Sequence, residues 1–452
     1  MSNINLEKII LFFIGMYFLI ALYPLRLDFL NSYIPGQLIP LFFIALFSLL
    51  SIQRVYIKSN NLDLRVMIAL SLYLLFNTFI QGILDQSLIR YRISSLGASL
   101  IPIFFFYLFM LIDLKDTHIK VMRKYLFFGL VIYVIYYIDS FIFSRFFAVT
   151  DANGYEVHKW ARVMGQRDAV YLNLALIVFL CKNYYSNYFL KFFGFSLAIG
   201  VLFILIYSQS RVGYLLLLMN ILILSVIYRR YFFSISLPLI ALFIAIYFLY
   251  FRHVGDVYEL QLDRDANQLL FSIARFNTFV NSISSIFSDD FSFYGSERVR
   301  FGIWNQILES VLQSPFTFIF GYGELGVHSL NESFLMHYLI DADNFSKKGY
   351  YPYMWEIETS ESQLFDTLFR RGLIGIIFLF TIFIRFIYLT NQLMRIDKKF
   401  KDIYLALNIY LISISVVLVI LPFMRDRAFS LFFFIAYAIL SSRAYIINGN
   451  NK

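Results

Sequence analysis

Apolar residues run through this chain in long blocks, not in the alternation of a half-buried strand or the one-sided stripe of a soluble helix. Twelve blocks read as membrane spans, at about 9–25, 37–53, 66–84, 94–112, 125–144, 169–181, 192–207, 212–228, 232–251, 372–390, 403–422 and 428–442. At 1.5 Å per residue, about 20 apolar residues cross a hydrocarbon core ~30 Å thick. The sixth block is short. Backbone polar groups at bilayer depth must be satisfied within their own segment, so the spans are helices. The pattern predicts an all-α polytopic membrane protein with about twelve transmembrane helices. No small-residue cleavage site follows the first block, which therefore reads as a retained span.

One connection differs from the others. Residues 252–364 separate spans 9 and 10, dividing the chain into 1–251, the loop 252–364, and 365–452. Apolar residues recur at helical spacing in this loop through Leu269, Ile273, Phe276, Val280, Ile283 and Phe287, and again through Ile303, Ile307, Leu308 and Val311. The recurrence predicts amphipathic helices lying on the membrane face. Long structured loops are usually functional.

Composition narrows the class. The 452 residues are 60% hydrophobic, 20% aromatic and 15% charged, against roughly 25% charged in an average soluble domain. Secreted enzyme, nucleic-acid binder and disordered tail are excluded. The net charge of +9 needs no nucleic-acid partner, because loops of membrane proteins carry such excesses. The single cysteine, Cys181, excludes an internal disulfide framework and any multi-cysteine metal site.

The charges separate by side. If the N-terminus is cytoplasmic, loops 54–65, 113–124, 182–191, 229–231 and 391–402 are cytoplasmic too. They hold Lys58, Lys115, Lys120, Lys124, Lys182, Lys191, Lys398, Lys399 and Lys401, whereas the short loops on the other side hold only Lys159. This asymmetry predicts cytoplasmic N- and C-termini and puts the large loop on the trans side, periplasmic or extracellular. Arginine behaves otherwise. Arg90, Arg92, Arg162, Arg167, Arg211, Arg252, Arg264, Arg275, Arg298, Arg300, Arg425 and Arg427 all fall on the trans side. A guanidinium fork matches phosphate and carboxylate oxygens, so the set predicts an anionic substrate at the outer leaflet. Single members could instead snorkel to headgroups or pair with loop acids.

Three segments could carry chemistry. Ser208-Gln209-Ser210-Arg211-Val212-Gly213 joins spans 7 and 8, placing Arg211 at the membrane boundary, where a charge usually faces a cavity or partner. Glu297-Arg298-Val299-Arg300-Phe301-Gly302-Ile303-Trp304 opens a loop helix in which Arg300 and Trp304, four apart, share a face. It runs on to Ser314-Pro315, read as a helix stop, and then to Gly321-Tyr322-Gly323, where glycines permit tight turns or close approach to a ligand. The third segment, Glu361 to Gly375, leads into span 10. A continuous helix would set Glu361 roughly 16 Å before Gly372 along the axis, near the outer leaflet surface. Glu358 and Asp366 are its neighbouring carboxylates and are expected to matter far less.

Taken in order and spacing, these segments resemble the O-antigen polymerase/ligase superfamily. The shared features are an S-x-S-R-x-G at a span boundary, an arginine four before a tryptophan, a G-x-G after a proline, and a stretch ending G-L-I-G that closes a long trans loop. The resemblance covers roughly residues 160–390 and lies closest to Wzy-type polymerases. It implies a GT-C-like glycosyltransferase of the cytoplasmic (inner) membrane that needs no cofactor. An acceptor-glycan hydroxyl would attack the anomeric carbon of a donor glycan on polyprenyl pyrophosphate, in an inverting, metal-independent transfer. It further implies that Arg211 and Arg300 bind the pyrophosphate and that Glu361 is the base. Arg298, Arg162, Arg167, Trp304, Gly321, Gly323 and Ser362 would line the substrate. Glu361 and Ser362 stand where the resemblance's ligases carry histidine and asparagine, which favours a polymerase. The implied partners are the lipid-linked donor and acceptor and the bilayer, with room for a chain-length regulator.

Other readings compete. The ligase, passing the same donor glycan to a lipid A core, is the nearest. A flippase for lipid-linked oligosaccharide would share the span count but would not need a folded loop of a hundred residues. Asp341-Ala342-Asp343 has the form of a metal-binding D-x-D but sits late in the loop, and His328 and His337 lie nine apart, outside helical ligand spacing.

Overall fold

The computed structural model describes residues 61–84, 89–111, 116–138, 166–184, 188–207, 211–227, 304–305, 307–323, 328–329, 356–357, 362–418 and 427–450. Among them the chain forms α1 (Leu62–Leu84), α2 (Ile89–Leu111), α3 (Asp116–Ile138), α4 (Gln166–Tyr184), α5 (Tyr188–Tyr207) and α6 (Arg211–Ile227). Then follow the short α7 (Pro315–Phe320), the long α8 (Gln363–Ile396), α9 (Lys401–Val417) and α10 (Arg427–Asn450). Residues 304–305 and 307–312 are also helical. One two-residue antiparallel pairing, β1 (His328–Ser329) with β2 (Glu356–Ile357), is the sole departure from helix among these elements.

Helices stand at the predicted spans from 66–84 through 212–228 and from 372–390 through 428–442. The blocks at 9–25, 37–53 and 232–251 lie outside the described residues, as does the stretch through Leu269 and Phe287. Leu62–Gln81, Gln363–Ile396 and Lys398–Val417 are long and apolar enough to cross a membrane by length and composition. Their surfaces fit that reading. On α1 the exposed residues Ile68, Leu72, Leu75, Phe76, Phe79 and Ile83 form a helical stripe, and on α8 so do Leu373, Ile377, Phe380, Ile384 and Tyr388. The opposite faces of both helices are buried, with apolar residues such as Met67, Leu70 and Leu74 on α1 and Leu379, Phe383 and Phe386 on α8 alongside polar ones.

Two helices form the centre. Residues 404–411 of α9 are all buried, and so are residues 169–179 of α4. The Tyr410 hydroxyl donates to the Val170 carbonyl at 3.1 Å, tying α9 to α4. Asn173 of α4, Asn220 of α6 and Ser413 of α9 form a buried chain of amide and hydroxyl contacts. Asn408 of α9 donates to the Thr390 hydroxyl of α8 at 2.7 Å. Such interhelical hydrogen bonds supplement packing among surfaces as apolar as lipid itself.

Charge collects at one end of the bundle. Asn61 caps α1, its side-chain oxygen accepting from Asp63 N at 2.8 Å. The Asp63 carboxylate is 2% exposed and accepts from Arg385 Nε, the Tyr437 hydroxyl and the Ser441 hydroxyl, each at 2.8 Å. Nearby, Arg443 donates to Asp397 at 3.0 Å and also pairs with Asp116, which binds Lys399. Arg123 pairs with Asp402 at 3.2 Å, and Arg123, Lys399 and Arg443 all stand within 6.0 Å of the Phe400 ring centre. The hydrogen bond from Lys399 holds the Asp116 carboxyl below the ordinary carboxylate range, and Arg443 acts in the same direction. That contribution is present above the ordinary carboxylate pKa and lost as pH falls through the lowered value. Residues 116–124 and 391–402, expected from sequence to lie in lysine-bearing loops and largely helical here, thus meet each other and the last turns of α10.

The Asp63 cluster yields a stability prediction. Asp63→Ala takes the shared acceptor from the half-buried Arg385 guanidinium and the buried Tyr437 hydroxyl and is expected to cost about 1–3 kcal/mol. Asp63→Leu combined with Arg385→Met removes both charges and is expected to recover much of the loss. Thermal unfolding of purified protein in detergent measures both, and a wild-type midpoint for Asp63→Ala would contradict the pairing.

Candidate functional site

The start of α8 is built to be fixed. Ser362 is fully buried and extended, and its side-chain oxygen accepts from Phe365 N at 3.3 Å as the N-cap. Leu364 N, one of the donors a helix start leaves over, reaches the Leu418 carbonyl at the end of α9, 3.2 Å away. Asp366 and Arg370 form a buried ion pair one turn apart at 3.1 Å. Asp366 is therefore no neutral comparison for Glu361, because its amide variant would weaken a buried charge contact to Arg370.

Nine residues on, the helix breaks. Gly372 has φ 59° and ψ −161°, a conformation essentially reserved for glycine. The sequence-based expectation of one continuous helix from Glu361 through Gly372 is corrected on both counts, since the helix begins at Gln363 and kinks at Gly372. A helix running through this point would use the carbonyls of residues 369–371 internally. Here they have other donors. Phe369 O accepts from Tyr322 N at 2.7 Å and Arg370 O from Gly323 N at 2.9 Å. Arg371 O accepts from the Tyr73 hydroxyl at 2.5 Å, and Arg370 O also from Asn77 Nδ2 at 3.3 Å.

The donors at 322 and 323 come from the G-x-G turn. Ser314, read from sequence as part of a helix stop, is also a start, since it N-caps α7 with Pro315 in the first turn. Gly321 ends α7 at φ 72° and ψ −167°, and Gly323 follows at φ 93°. The two glycine turns abut so closely that a Cβ on Gly321 would stand 2.6 Å from the backbone of residues 370–372. One on Gly372 would stand 2.3 Å from the Ile319 carbonyl oxygen. Glycine is thus required at both positions by backbone meeting backbone.

A small second core seals this junction. Trp304 is buried and stacks on Phe365 with ring centres 4.9 Å apart and planes 12° apart. Tyr322 stacks on Phe369 at 4.7 Å, and its hydroxyl donates to Ser310 O at 2.8 Å. Ile307, Val311 and Phe369 form the buried centre, so the expected apolar recurrence through Ile307 and Val311 faces α8. On the bundle side, Arg371 donates to the Ser99 hydroxyl of α2 at 3.0 Å.

Of the ten residues singled out from sequence, Trp304, Gly321, Gly323 and Ser362 meet here on the first turns of α8. Arg211 is the first residue of α6, and Arg167 the second of α4. The start of α6 is held to α4 through Asn173 Nδ2, which donates to the Gly213 carbonyl at 3.3 Å. Arg162, Arg298, Arg300 and Glu361 lie outside the described residues, as do His337, Asp341 and Asp343, while His328 stands opposite Ile357 in the β pairing. Among the described residues no group of three or more His, Cys, Asp or Glu is placed to hold a metal ion. Sequence reasoning passed over Tyr73, Asn77 and Gln81, although three polar residues four apart in an apolar span are a signal in themselves.

Residues 195–380, under half of the chain, match the family described as O-Antigen ligase. This agrees with the O-antigen polymerase/ligase resemblance of the motifs, and the matched segment runs from α5 through the junction into α8. No curated protein matches the chain.

The abutting glycines generate the second prediction. Gly372→Ala and Gly321→Ala should each cost roughly 1–3 kcal/mol in backbone strain, with a comparable penalty from overpacking. Gly97→Ala, where an added Cβ meets nothing within 4 Å, should be mild. Detergent unfolding midpoints test the contrast, which fails if all three variants unfold alike.

Proposed function

We propose that this protein polymerises polyprenyl-pyrophosphate-linked oligosaccharide repeat units on the trans face of the cytoplasmic membrane, toward O-antigen or a related surface polysaccharide. The observation that carries the reading is the stack of Trp304 on Phe365. Trp304 lies four residues after Arg300, and Phe365 four after Glu361. The described ends of two motifs some sixty residues apart, Trp304 of one and Phe365 of the other, therefore meet in one aromatic contact.

The chemistry needs two services. The departing pyrophosphate develops negative charge, which Arg211 and Arg300 would neutralise, with Arg298, Arg162 and Arg167 adding to the field. The attacking hydroxyl must lose a proton, which Glu361 would accept. The new bond joins the acceptor oxygen to the donor's anomeric carbon, the bond from that carbon to the pyrophosphate oxygen breaks, and polyprenyl pyrophosphate leaves. Attack opposite the leaving group inverts the anomeric centre. The buried N-cap Ser362 supports this assignment by fixing the residue that follows Glu361. Gly321 and Gly323 would then shape the wall of the substrate site through the turn they form.

The second reading is transfer of the same donor glycan to a lipid A core, favoured by the match of residues 195–380 to a family described as O-Antigen ligase. Glu361-Ser362 in place of histidine-asparagine favours the polymerase.

Purified protein supplied with polyprenyl-pyrophosphate-linked repeat units should give a ladder of products on a gel. Growth only when lipid A core is added would indicate the ligase. Glu361→Gln keeps shape but removes basicity, and turnover is expected to drop by roughly 10²–10⁴-fold with donor binding little changed. Arg211→Lys and Arg300→Lys keep charge but lose the fork, and are expected to lose most activity while still inserting. Wild-type rates in both lysine variants would overturn the pyrophosphate assignment. Activity should also survive excess EDTA, and loss restored by magnesium or manganese would promote Asp341 and Asp343 to metal ligands.

A further inference from the structure

We propose that Tyr73, Asn77 and Gln81 of α1 are positioning residues for glycosyl transfer, acting through the backbone that carries the reacting segment. The inference rests on the polymerase reading above and adds residues that lie outside the family-matched segment 195–380.

The three side chains stand four apart and so share one face of α1. Asn77 and Gln81 are buried, at 2% and 7% exposure, in a helix whose other face is a stripe of exposed apolar residues. Their donors all go to main-chain carbonyls at the junction. Tyr73 donates to Arg371 O at 2.5 Å and stands 3.4 Å from Phe320 O. Asn77 Nδ2 reaches Phe320 O at 3.1 Å and Arg370 O at 3.3 Å, and Gln81 Nε2 donates to Gly321 O at 3.0 Å. Tyr73 and Asn77 thus each bridge the turn that ends α7 and the turn that breaks α8.

A clamp of this kind fixes main chain relative to main chain. It sets the segment leading from Trp304 to Gly323 against the segment leading from Ser362 to Gly372, the two described segments that follow the arginine motif and Glu361 in the sequence. Arg370 O already accepts from Gly323 N, so Asn77 gives it a second donor and ties to α1 a turn that is already closed. A misplacement of about 1 Å between reacting groups costs on the order of 100-fold in rate. Loosening the clamp should therefore act on turnover more than on substrate binding.

The test uses full-length protein in detergent carrying Tyr73→Phe, Asn77→Leu, Asn77→Gln or Gln81→Leu. Phe79→Ala, on the exposed face of the same helix, is the control. Hydrogen exchange is followed in the peptide spanning 320–324, which contains the Tyr322 and Gly323 amides. Steady-state kinetics are measured with a polyprenyl-pyrophosphate-linked repeat unit. Tyr73→Phe and Asn77→Leu are expected to exchange faster there and to lose roughly 10- to 100-fold in kcat with KM within about twofold. Asn77→Gln, which keeps the amide donor, is expected to return part of kcat. Tyr73→Phe removes a single oxygen and serves if Asn77→Leu does not fold. Faster exchange with wild-type kcat overturns the proposal, and so does a raised KM at constant kcat or a loss that merely tracks the amount of folded protein. A wild type that forms no polymer removes the polymerase reading and the positioning role with it, whereas an active wild type with unaffected variants removes the positioning role alone.

Discussion

A helix that breaks inside an apolar bundle exposes carbonyls that have no water to turn to. That constraint governs the junction at Gly372. Three consecutive carbonyls beside the break, on Phe369, Arg370 and Arg371, are each met by a donor from elsewhere in the chain. Leaving one unsatisfied would cost several kcal/mol in such surroundings. The G-x-G turn, the polar stripe of α1 and the stacked aromatic pairs are parts of one answer to that cost. The kink matters because it lets the first turns of α8 leave the axis of the span and dock against the large loop.

The two ends of the bundle solve different problems by different means. At the junction the donors that meet the backbone carbonyls are neutral amides and hydroxyls, and the buried Asp366–Arg370 pair lies beside them within one helix. At the lysine-bearing end the contacts are ion pairs, with Asp63, Asp397 and Asp116 each holding an arginine from a distant helix. A buried ion pair adds little net stability against an apolar substitute, but it penalises any register that separates the partners. The charged end therefore selects which helices lie side by side. Between the ends, the Asn173–Asn220–Ser413 chain adds modest interhelical bonds of about 1 kcal/mol each, and the packing around α4 and α9 contributes the larger share.

Much of this was legible in the sequence because the signals were long. Apolar blocks of about twenty residues predicted helices where α1 to α6 and α8 to α10 stand. The lysine count put loops 113–124 and 391–402 on one side, and Lys399 does meet Asp116. The break at Gly372 was not legible. Gly375, three residues later, lies in the same helix without a positive φ, so a glycine in an apolar run does not announce which conformation it takes. What decides the matter at Gly372 is the backbone of Ile319 and Phe320 lying against it, a contact no local window contains. The same blindness hid Asp366, expected from sequence to matter far less than Glu361 and in the fold a buried partner of Arg370. Ser314-Pro315 was read as a stop because proline cannot continue a helix, yet the same fixed φ suits it to begin the next one.

The α1 stripe also has a history during synthesis. Asn77 and its acceptor on Arg370 are 293 positions apart. At roughly 5–20 residues per second, the ribosome needs about 15–60 s to deliver the second after the first. Over that interval α1 sits in a lipid environment carrying a buried-type tyrosine, asparagine and glutamine whose final acceptors do not yet exist. Interim partners such as water, headgroups or the insertion machinery must hold those donors until the last third of the chain arrives. Maturation of this junction is thus a hand-over of polar contacts from interim partners to the chain's own backbone.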